Sequence, residues 1–265
     1  SVYHLFPFTH VELGSDFDLD AALAFGSMPG LLACHCADEK RAFLRAYALT
    51  YLKEEVWAEH WVRRLDPFRR FLEVAAQCSG EIVNFTNIAR DVGADVKTVQ
   101  AYFQILEETL IGILLEPFHQ SVRKRQSHAP KIFLFDPGVK RALNRTLTLD
   151  LQAGTYDYGK MFEQFIVLEA MRLSAYRLND FRFSYLRTKD GAEIDLIVER
   201  PGKSTALVEI KSAERVDERD TRTLERFLAD MPDTEGYCLS RDPVPKHIGR
   251  VRLLPWQDGL KAIGL

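Results

Sequence analysis

Asp195, Glu209 and Lys211 lie on two short apolar segments that are predicted to form a β-hairpin. Asp195 belongs to EIDLIVE, residues 193–199, whereas Glu209 and Lys211 belong to TALVEIK, residues 205–211, and the turn-forming sequence RPGKS lies between them. Alternate residues of a strand share a face, so Glu209 and Lys211 point to the same side. An antiparallel hairpin then brings Asp195 against Glu209, with Lys211 beside them.

This arrangement predicts a site for a divalent cation. Two adjacent carboxylates resist joint ionisation, and a cation such as Mg²⁺, which favours one or two carboxylates plus water, removes that cost. Lys211 offers positive charge near a metal-bound water or a scissile phosphate. Glu163, on the predicted upstream helix, could reach the same site. The set of Glu163, Asp195, Glu209 and Lys211 would suit phosphodiester hydrolysis, with Asp195 and Glu209 as metal ligands.

The competing interpretation is a solvent-facing strand that carries an ordinary Glu-Lys pair. The flanking residues argue against it, because both segments are otherwise strongly apolar and resemble strands at the centre of a sheet. Unpartnered acids are costly to bury there. The same alternation predicts that Glu193 and Ile197 share the face of Asp195, and that Ile194 points to the opposite face.

The elements around the hairpin predict a mixed α/β core. A helix is expected at residues 160–177, strands at 181–187, 193–199, 206–211, 237–240 and 251–254, and a helix at 217–231. Residues 145–159 are polar and rich in turn formers, so we place a domain boundary near residue 150.

The N-terminal part is predicted to be helical, with a helix-turn-helix inside it. Residues 39–64 and 67–80 show helical spacing of apolar side chains. Thr86 or Asn87 can cap a short helix that ends at Val92, and Asp95 can cap the next. Two strands are expected after the helix-turn-helix, at residues 111–115 and 131–135. A helix-turn-helix followed by two strands is a winged-helix pattern.

The segment between those strands, SVRKRQSHAP at residues 121–130, is the predicted wing. Arg123, Lys124 and Arg125 make it the densest positive cluster in the chain, so we expect these three residues to contact nucleic acid. In the second helix of the helix-turn-helix, Lys97 and Gln100 are the obvious base readers, which favours weak sequence readout and leaves DNA binding and protein docking both open.

Composition restricts the classes of function. The net charge of -3 excludes a uniformly basic nucleic-acid-binding chain and requires a local patch. Four cysteines in 265 residues form no disulfide framework, which indicates a reducing, cytoplasmic compartment. The apolar runs are too short to span a bilayer, so no membrane partner is expected.

Asp195 followed by Glu209-x-Lys211, after a helix bearing Glu163, resembles the core motif of the PD-(D/E)xK nuclease-like superfamily. Further segments resemble the DUF4143 family; they are GSMPGLL (26–32), YALTYLKEEV (47–56), FRRFLEVAA (68–76), KIFLFDPGV (131–139), GKMFEQFIV (159–167) and GAEIDLIVE (191–199) with VEIK (208–211). One position departs from the nuclease motif, because Ile194 stands where a proline would be expected.

The resemblance implies an α+β chain in three parts. Residues 1–75 would be the tail of an absent AAA-type P-loop ATPase domain and a helical linker, 76–150 a winged helix, and 151–265 an α/β restriction-endonuclease-like domain. The implied cofactor is Mg²⁺, with Mn²⁺ as substitute, and ATP would act only through the missing ATPase domain. The alternative function is a non-catalytic module that binds nucleic acid or protein and keeps the nuclease-like fold.

Three further signals carry less weight. Gly202-Lys203-Ser204 lacks the earlier glycine and the following helix of a P-loop. Cys34-His35-Cys36 lacks the spacing of a usual zinc site. The basic face of the helix at 217–231 is either a phosphate-tracking surface or a solvated face paired with neighbouring acids; its residues are Arg215, Arg219, Arg222 and Arg226.

Overall fold

The computed structural model describes residues 4–51, 65–119 and 129–265, and it divides into two compact units. The first unit contains residues 1–114 and 129–151, and the second contains residues 115–128 and 152–265. Helices and strands occur in both units, which confirms the mixed α+β class predicted from the sequence. The finer division of residues 1–150 into a linker and a winged helix stays a prediction.

The first unit is built mainly from helices. They are α1 (His10–Leu13), α2 (Leu19–Phe25), α3 (Ala37–Ala46), α4 (Leu65–Gln77), α5 (Phe85–Val92), α6 (Val96–Glu108) and α7 (Pro137–Leu143). The predicted long helix over residues 39–64 is α-helical only through Ala46, and Tyr47–Tyr51 continue as a π-helical turn. Its remainder lies outside the described residues. A short two-stranded sheet pairs β1 (Gly112–Leu115) with β2 (Lys131–Leu134).

The core of the first unit is aromatic where α4 packs on α6. The ring of Phe71 meets that of Phe103 edge-on, with centroids 4.8 Å apart, and Phe68 meets Tyr102 in the same way at 5.1 Å. All four side chains are buried. Such pairs add about 0.5–1.5 kcal/mol beyond the burial of their area, so they fix the two helices against each other.

The predicted helix-turn-helix corresponds to α5 and α6. Asp95 caps α6, as predicted, because its side chain accepts a hydrogen bond from the Thr98 N–H at 2.9 Å. The prediction for α5 is wrong, since Asn84 is its N-cap and Thr86 lies inside the helix. Between the helices Gly93 adopts φ 72°, a left-handed conformation that glycine takes without the steric cost of a Cβ.

In its described residues, the second unit contains a six-stranded sheet and three helices. The helices are α8 (Tyr156–Tyr176), α9 (Glu218–Asp230) and α10 (Trp256–Ile263). The strands, in the order in which they lie in the sheet, are β3 (Arg182–Arg187), β4 (Glu193–Glu199), β5 (Thr205–Lys211), β6 (Thr234–Ser240), β8 (Val251–Pro255) and β7 (Lys246–Ile248). β4 and β5 form the predicted antiparallel hairpin, and β6 runs parallel to β5.

The helices cover both faces of this sheet. A side chain at Gly236 of β6 would meet Leu228 of α9, whereas Leu239 of the same strand lies against Gly259 of α10. Residues 236 and 239 point to opposite faces, so α9 and α10 lie on opposite sides. α8 shares the side of α10, because the rings of Phe165 and Trp256 meet edge-on at 5.3 Å.

Within residues 152–265, two elements were not predicted, namely the short strand β7 and the last helix, α10. In the part of the chain that the structure describes, no helix has the length and apolar character that crossing a bilayer requires.

Candidate metal and active site

Asp195 lies where the hairpin pairing of β4 with β5 ends. The paired residues run from Val198 to Leu196 on β4, and Asp195 follows directly. Its Oδ2 accepts a hydrogen bond from the backbone N–H of Ile210 at 2.8 Å. A side chain therefore takes the place of a backbone carbonyl, and the carboxylate of Asp195 is fixed beside β5.

A β-bulge changes the direction of the side chains at this end of β4. Three steps along β4, from Ile197 to Ile194, correspond to two steps along β3, from Ser184 to Leu186. An extra residue of this kind interrupts the regular alternation of faces. Ile194 and Ile197 consequently pack into the same hydrophobic cluster, so the predicted placement of Ile194 on the opposite face is wrong.

Glu209 and Lys211 form a close ion pair on β5. Lys211 Nζ lies 2.6 Å from Glu209 Oε1. Glu209 is only 7% exposed, and its second oxygen, Oε2, is buried without a hydrogen-bond partner among the described residues. Leaving a buried acceptor unsatisfied costs about 1–3 kcal/mol, so a group that donates to this oxygen or coordinates it would be favoured there.

Burial and nearby charges shift the pKa values of this pair. Burial raises the pKa of Glu209 above its ordinary 4.5, the charge of Lys211 opposes that shift, and the charges of Glu163 and Glu193 add to it. Burial alone would lower the pKa of Lys211, but Glu209 and Asp195 outweigh it, so the pKa is raised and the ammonium stays protonated. On β6, burial first and the Glu209 charge second raise the pKa of Cys238 to about 12.

Glu163 approaches the same end of the hairpin from α8. It is buried, and its Oε2 lies 3.3 Å from Lys160 Nζ one turn earlier on the helix. One carboxylate oxygen each from Glu163, Glu193 and Asp195 lie within 4.8 Å of one another. Three oxygen ligands at this spacing can hold a hard divalent cation.

The chain matches two families, one in each half. Residues 16–151 match a domain of unknown function, DUF8612, and residues 158–258 match a second domain of unknown function, DUF4143. The chain belongs to the DUF8612 family, whose model matches more than half of its residues, and its C-terminal part matches the DUF4143 model. The sequence resemblance to DUF4143 extended over nearly the whole chain, whereas the match itself is confined to the C-terminal part. All the acids described above lie inside the DUF4143 domain.

Two mycobacterial proteins are similar to this chain. They are the uncharacterized proteins Mb2031c of Mycobacterium bovis and Rv2008c of Mycobacterium tuberculosis, each 26% identical over 182 residues, which is 67% of this chain. The matched part is 40% of the length of each relative. No solved structure matches the chain.

The DUF4143 domain brings the predicted site residues to one end of the β4–β5 hairpin, but it groups them differently from the prediction. Glu163 and Asp195 share a potential cation site with Glu193, and Glu209 is paired with Lys211 beside them. Sequence reasoning overlooked Glu193 as a site residue. Glu193 lies two residues before Asp195, and this spacing could have indicated that it belongs to the site. Regular alternation, however, placed Glu193 and Asp195 on the same face as Ile197.

The other sequence candidates contribute less to a site. The predicted wing residues Arg123, Lys124 and Arg125 lie outside the described residues. Lys97 and Gln100 are exposed on α6. On α9, Arg219 and Arg226 lie 3.9 and 3.8 Å from Asp217 and Asp190, as the solvated-face interpretation expects.

The Cys34-His35-Cys36 segment does not enter a metal site among the described residues. Cys34 Sγ contacts the carbonyl oxygen of Gly30 at 3.7 Å, and Cys36 is exposed. No group of three potential ligands that includes either cysteine is found in the described part of the chain.

Proposed function

We propose that the DUF4143 domain hydrolyses phosphodiester bonds in nucleic acid with the help of a divalent cation, Mg²⁺ or its substitute Mn²⁺. The observation that carries this proposal is Glu209, a buried carboxylate with one unpartnered oxygen next to a fixed lysine. Glu163 and Asp195 lie at the same end of the sheet.

The net charge of the site favours binding of a divalent cation first and of a phosphate group afterwards. Of the four carboxylates, three have a cationic partner at 2.6 to 3.8 Å among the described residues: Glu163 pairs with Lys160, Glu193 with Arg187 and Glu209 with Lys211, and the fourth is Asp195. The formal charge of these seven described side chains is one negative without a metal and one positive with a divalent cation. The positive form has the sign that attracts a phosphodiester.

Each residue has a distinct task in this proposal. Glu163 and Asp195 would hold the cation, with Glu209 binding it directly or through a water, and the bond from Ile210 N–H keeps the Asp195 carboxylate in position. A bound divalent cation lowers the pKa of water and offsets negative charge on a phosphate. Lys211 Nζ donates hydrogen bonds to a phosphate oxygen and stabilises the charge that develops there.

A second candidate is a non-catalytic module that binds nucleic acid or protein. The observation favouring it is that Lys211 and Asp195 already have partners within the fold, Glu209 and the Ile210 N–H. In that case these contacts only stabilise the hairpin. Wing residues Arg123, Lys124 and Arg125 would then supply phosphate contacts without cleavage.

The setting of the whole protein is also part of the proposal. The resemblance of the sequence to DUF4143 proteins leads us to propose that the chain works next to an ATPase domain that supplies ATP dependence. The described cysteines are all free thiols, which supports a reducing compartment such as the cytoplasm.

A cleavage assay distinguishes the two candidates. The purified chain is incubated with single-stranded, double-stranded and branched DNA and with RNA, in Mg²⁺, in Mn²⁺ and in EDTA. Hydrolysis requires product in the metal reactions and none in EDTA. Binding of any of these substrates without product in either metal would favour the non-catalytic module.

A further inference from the structure

Glu193 occupies a position that an ordinary strand would not give it. In a regular β4, Glu193 would share the face of Ile197, which packs against α9. The bulge between Ile197 and Ile194 moves Ile194 into that apolar cluster instead. Glu193, the next residue, is thereby directed to the opposite side, where α8 carries Glu163.

Two observations at this point indicate a ligand. One oxygen of Glu193 lies within 4.8 Å of oxygens from both Glu163 and Asp195, although three like charges repel at that spacing. Independently, Glu209 is more than nine-tenths buried with Oε2 unpartnered among the described residues, and it is close enough to Glu163 and Glu193 for their charges to act on it. A cation among these groups would relieve the repulsion and compensate the unsatisfied oxygen.

We propose that Glu193 is a direct ligand of the divalent cation, together with Glu163 and Asp195. This inference rests on the proposed function and adds a residue to its site. Mg²⁺ keeps several waters when proteins bind it, so three carboxylates leave positions for water. Glu209 Oε2, which has no partner among the described residues, would be available to accept from one of those waters, while Glu209 Oε1 stays with Lys211.

Arg187 offers the competing explanation for Glu193. Its NH1 lies 3.8 Å from Glu193 Oε2, and the side chains are 46% and 25% exposed. A long and solvated pair of this kind contributes little. If Glu193 served only to pair with Arg187, substituting either residue would leave the affinity for the metal unchanged. If Glu193 is a ligand, Arg187 competes with the cation for its charge.

The experiment compares Mn²⁺ affinity in four proteins by calorimetry and by the free-Mn²⁺ electron paramagnetic resonance signal. They are the wild type, Glu193→Gln, Arg187→Gln and, as matched control, Asp190→Asn, which alters an exposed acid in the turn before β4. Circular dichroism and the melting temperature without metal check that each variant is folded.

We expect Glu193→Gln to raise the Kd for Mn²⁺ about tenfold or more, as substitutions around metal sites typically do. Arg187→Gln should lower that Kd, and Asp190→Asn should leave it unchanged. A wild-type Kd retained by folded Glu193→Gln would overturn the assignment of Glu193 while the proposed function stands. Failure of the wild type to bind Mn²⁺ at millimolar concentrations would overturn both.

Discussion

The carboxylate of Asp195 accepts a hydrogen bond from the backbone N–H of Ile210 at 2.8 Å, and this bond joins the two strands at which the acids converge. Ile210 lies between Glu209 and Lys211, so Asp195 also fixes the strand that carries their ion pair. In the proposed function Asp195 meets two requirements: its carboxylate completes the backbone hydrogen bonding of β5, and it keeps a negative charge for a cation.

Substitutions of Asp195 should separate these two demands. In Asp195→Asn the amide oxygen can still accept from Ile210 N–H and one negative charge is removed, so the metal-free protein should be as stable as the wild type or slightly more so. Asp195→Ala leaves that N–H without its partner and should lower the free energy of unfolding by about 1–3 kcal/mol. Urea unfolding measures both effects.

Both Asp195 variants should lose Mn²⁺ binding, which calorimetry detects. Wild-type affinity for Mn²⁺ in folded Asp195→Asn would show that Asp195 only accepts the backbone hydrogen bond and does not bind the metal.

The raised pKa of Glu209 predicts the pH dependence of stability without metal. The folded protein holds this proton more tightly than the unfolded chain, because burial raises the pKa above 4.5. Its contribution to stability is therefore fully present below pH 4.5 and is lost as pH rises through the raised pKa. Glu209→Gln should remove this loss, as measured by urea unfolding at a series of pH values.

Glu235 provides a control of opposite sign. Its hydrogen bond from Tyr237 and the charges of Arg200 and Arg252 lower its pKa below 4.5. The stability it contributes is present above pH 4.5 and is lost as pH falls through the lowered pKa, so Glu235→Gln should flatten the acidic side of the profile. A Glu209→Gln profile parallel to that of the wild type above pH 4.5 would contradict the assignment.

The Lys211 side chain should be needed for cleavage and not for metal binding. Lys211→Ala removes the group that would stabilise charge on the phosphate, whereas the carboxylates of Glu163, Glu193 and Asp195 stay in place to bind the metal. It should also destabilise the metal-free protein, since the Glu209 carboxylate then loses its partner. Cleavage rate, Mn²⁺ affinity and melting temperature measure the three effects.

The double variant Lys211→Met with Glu209→Gln is the control for stability, because it removes both charges and should be less destabilised than Lys211→Ala. Cleavage at the wild-type rate by Lys211→Ala would exclude the role of Lys211 in catalysis.

Nucleic-acid binding should depend on the predicted wing. Changing Arg123, Lys124 and Arg125 together to alanine should weaken binding. For each phosphate that the variant no longer neutralises, the slope of log affinity against log salt should fall by about one. Fluorescence anisotropy with labelled DNA and RNA at several salt concentrations gives both quantities. An unchanged affinity and slope would place the nucleic-acid-binding surface elsewhere.

The parts of the site that could be predicted from the sequence are those set by local patterns. The antiparallel pairing that carries Asp195 follows from two apolar segments and a turn, and the Asp95 cap follows from its place before a helical pattern. Glu193 could not be found in this way, because its direction depends on a bulge formed when β4 pairs with β3. Pairing between strands is a tertiary property that alternation along one strand does not contain.

Local signals also failed where several residues competed or where an element was short. Asn84, Thr86 and Asn87 are all good N-cap residues, and their types alone do not distinguish Asn84, which caps α5 in the structure. The helix α10 has a glycine, Gly259, in its interior, which weakens a helical prediction. In the structure that glycine is required, because Leu239 of β6 leaves no room for a Cβ.

The measurement that tests the central claim most directly is the cleavage rate of wild type and Asp195→Asn, purified in parallel and assayed in Mg²⁺ on the same DNA and RNA substrates. Asp190→Asn serves as control for the removal of an acid near the site. The proposed hydrolysis predicts cleavage by wild type and Asp190→Asn, and a decrease of at least about 100-fold in Asp195→Asn, within the range typical of catalytic groups. Equal rates in all three proteins, or no cleavage by the wild type in Mg²⁺ or Mn²⁺, would contradict it.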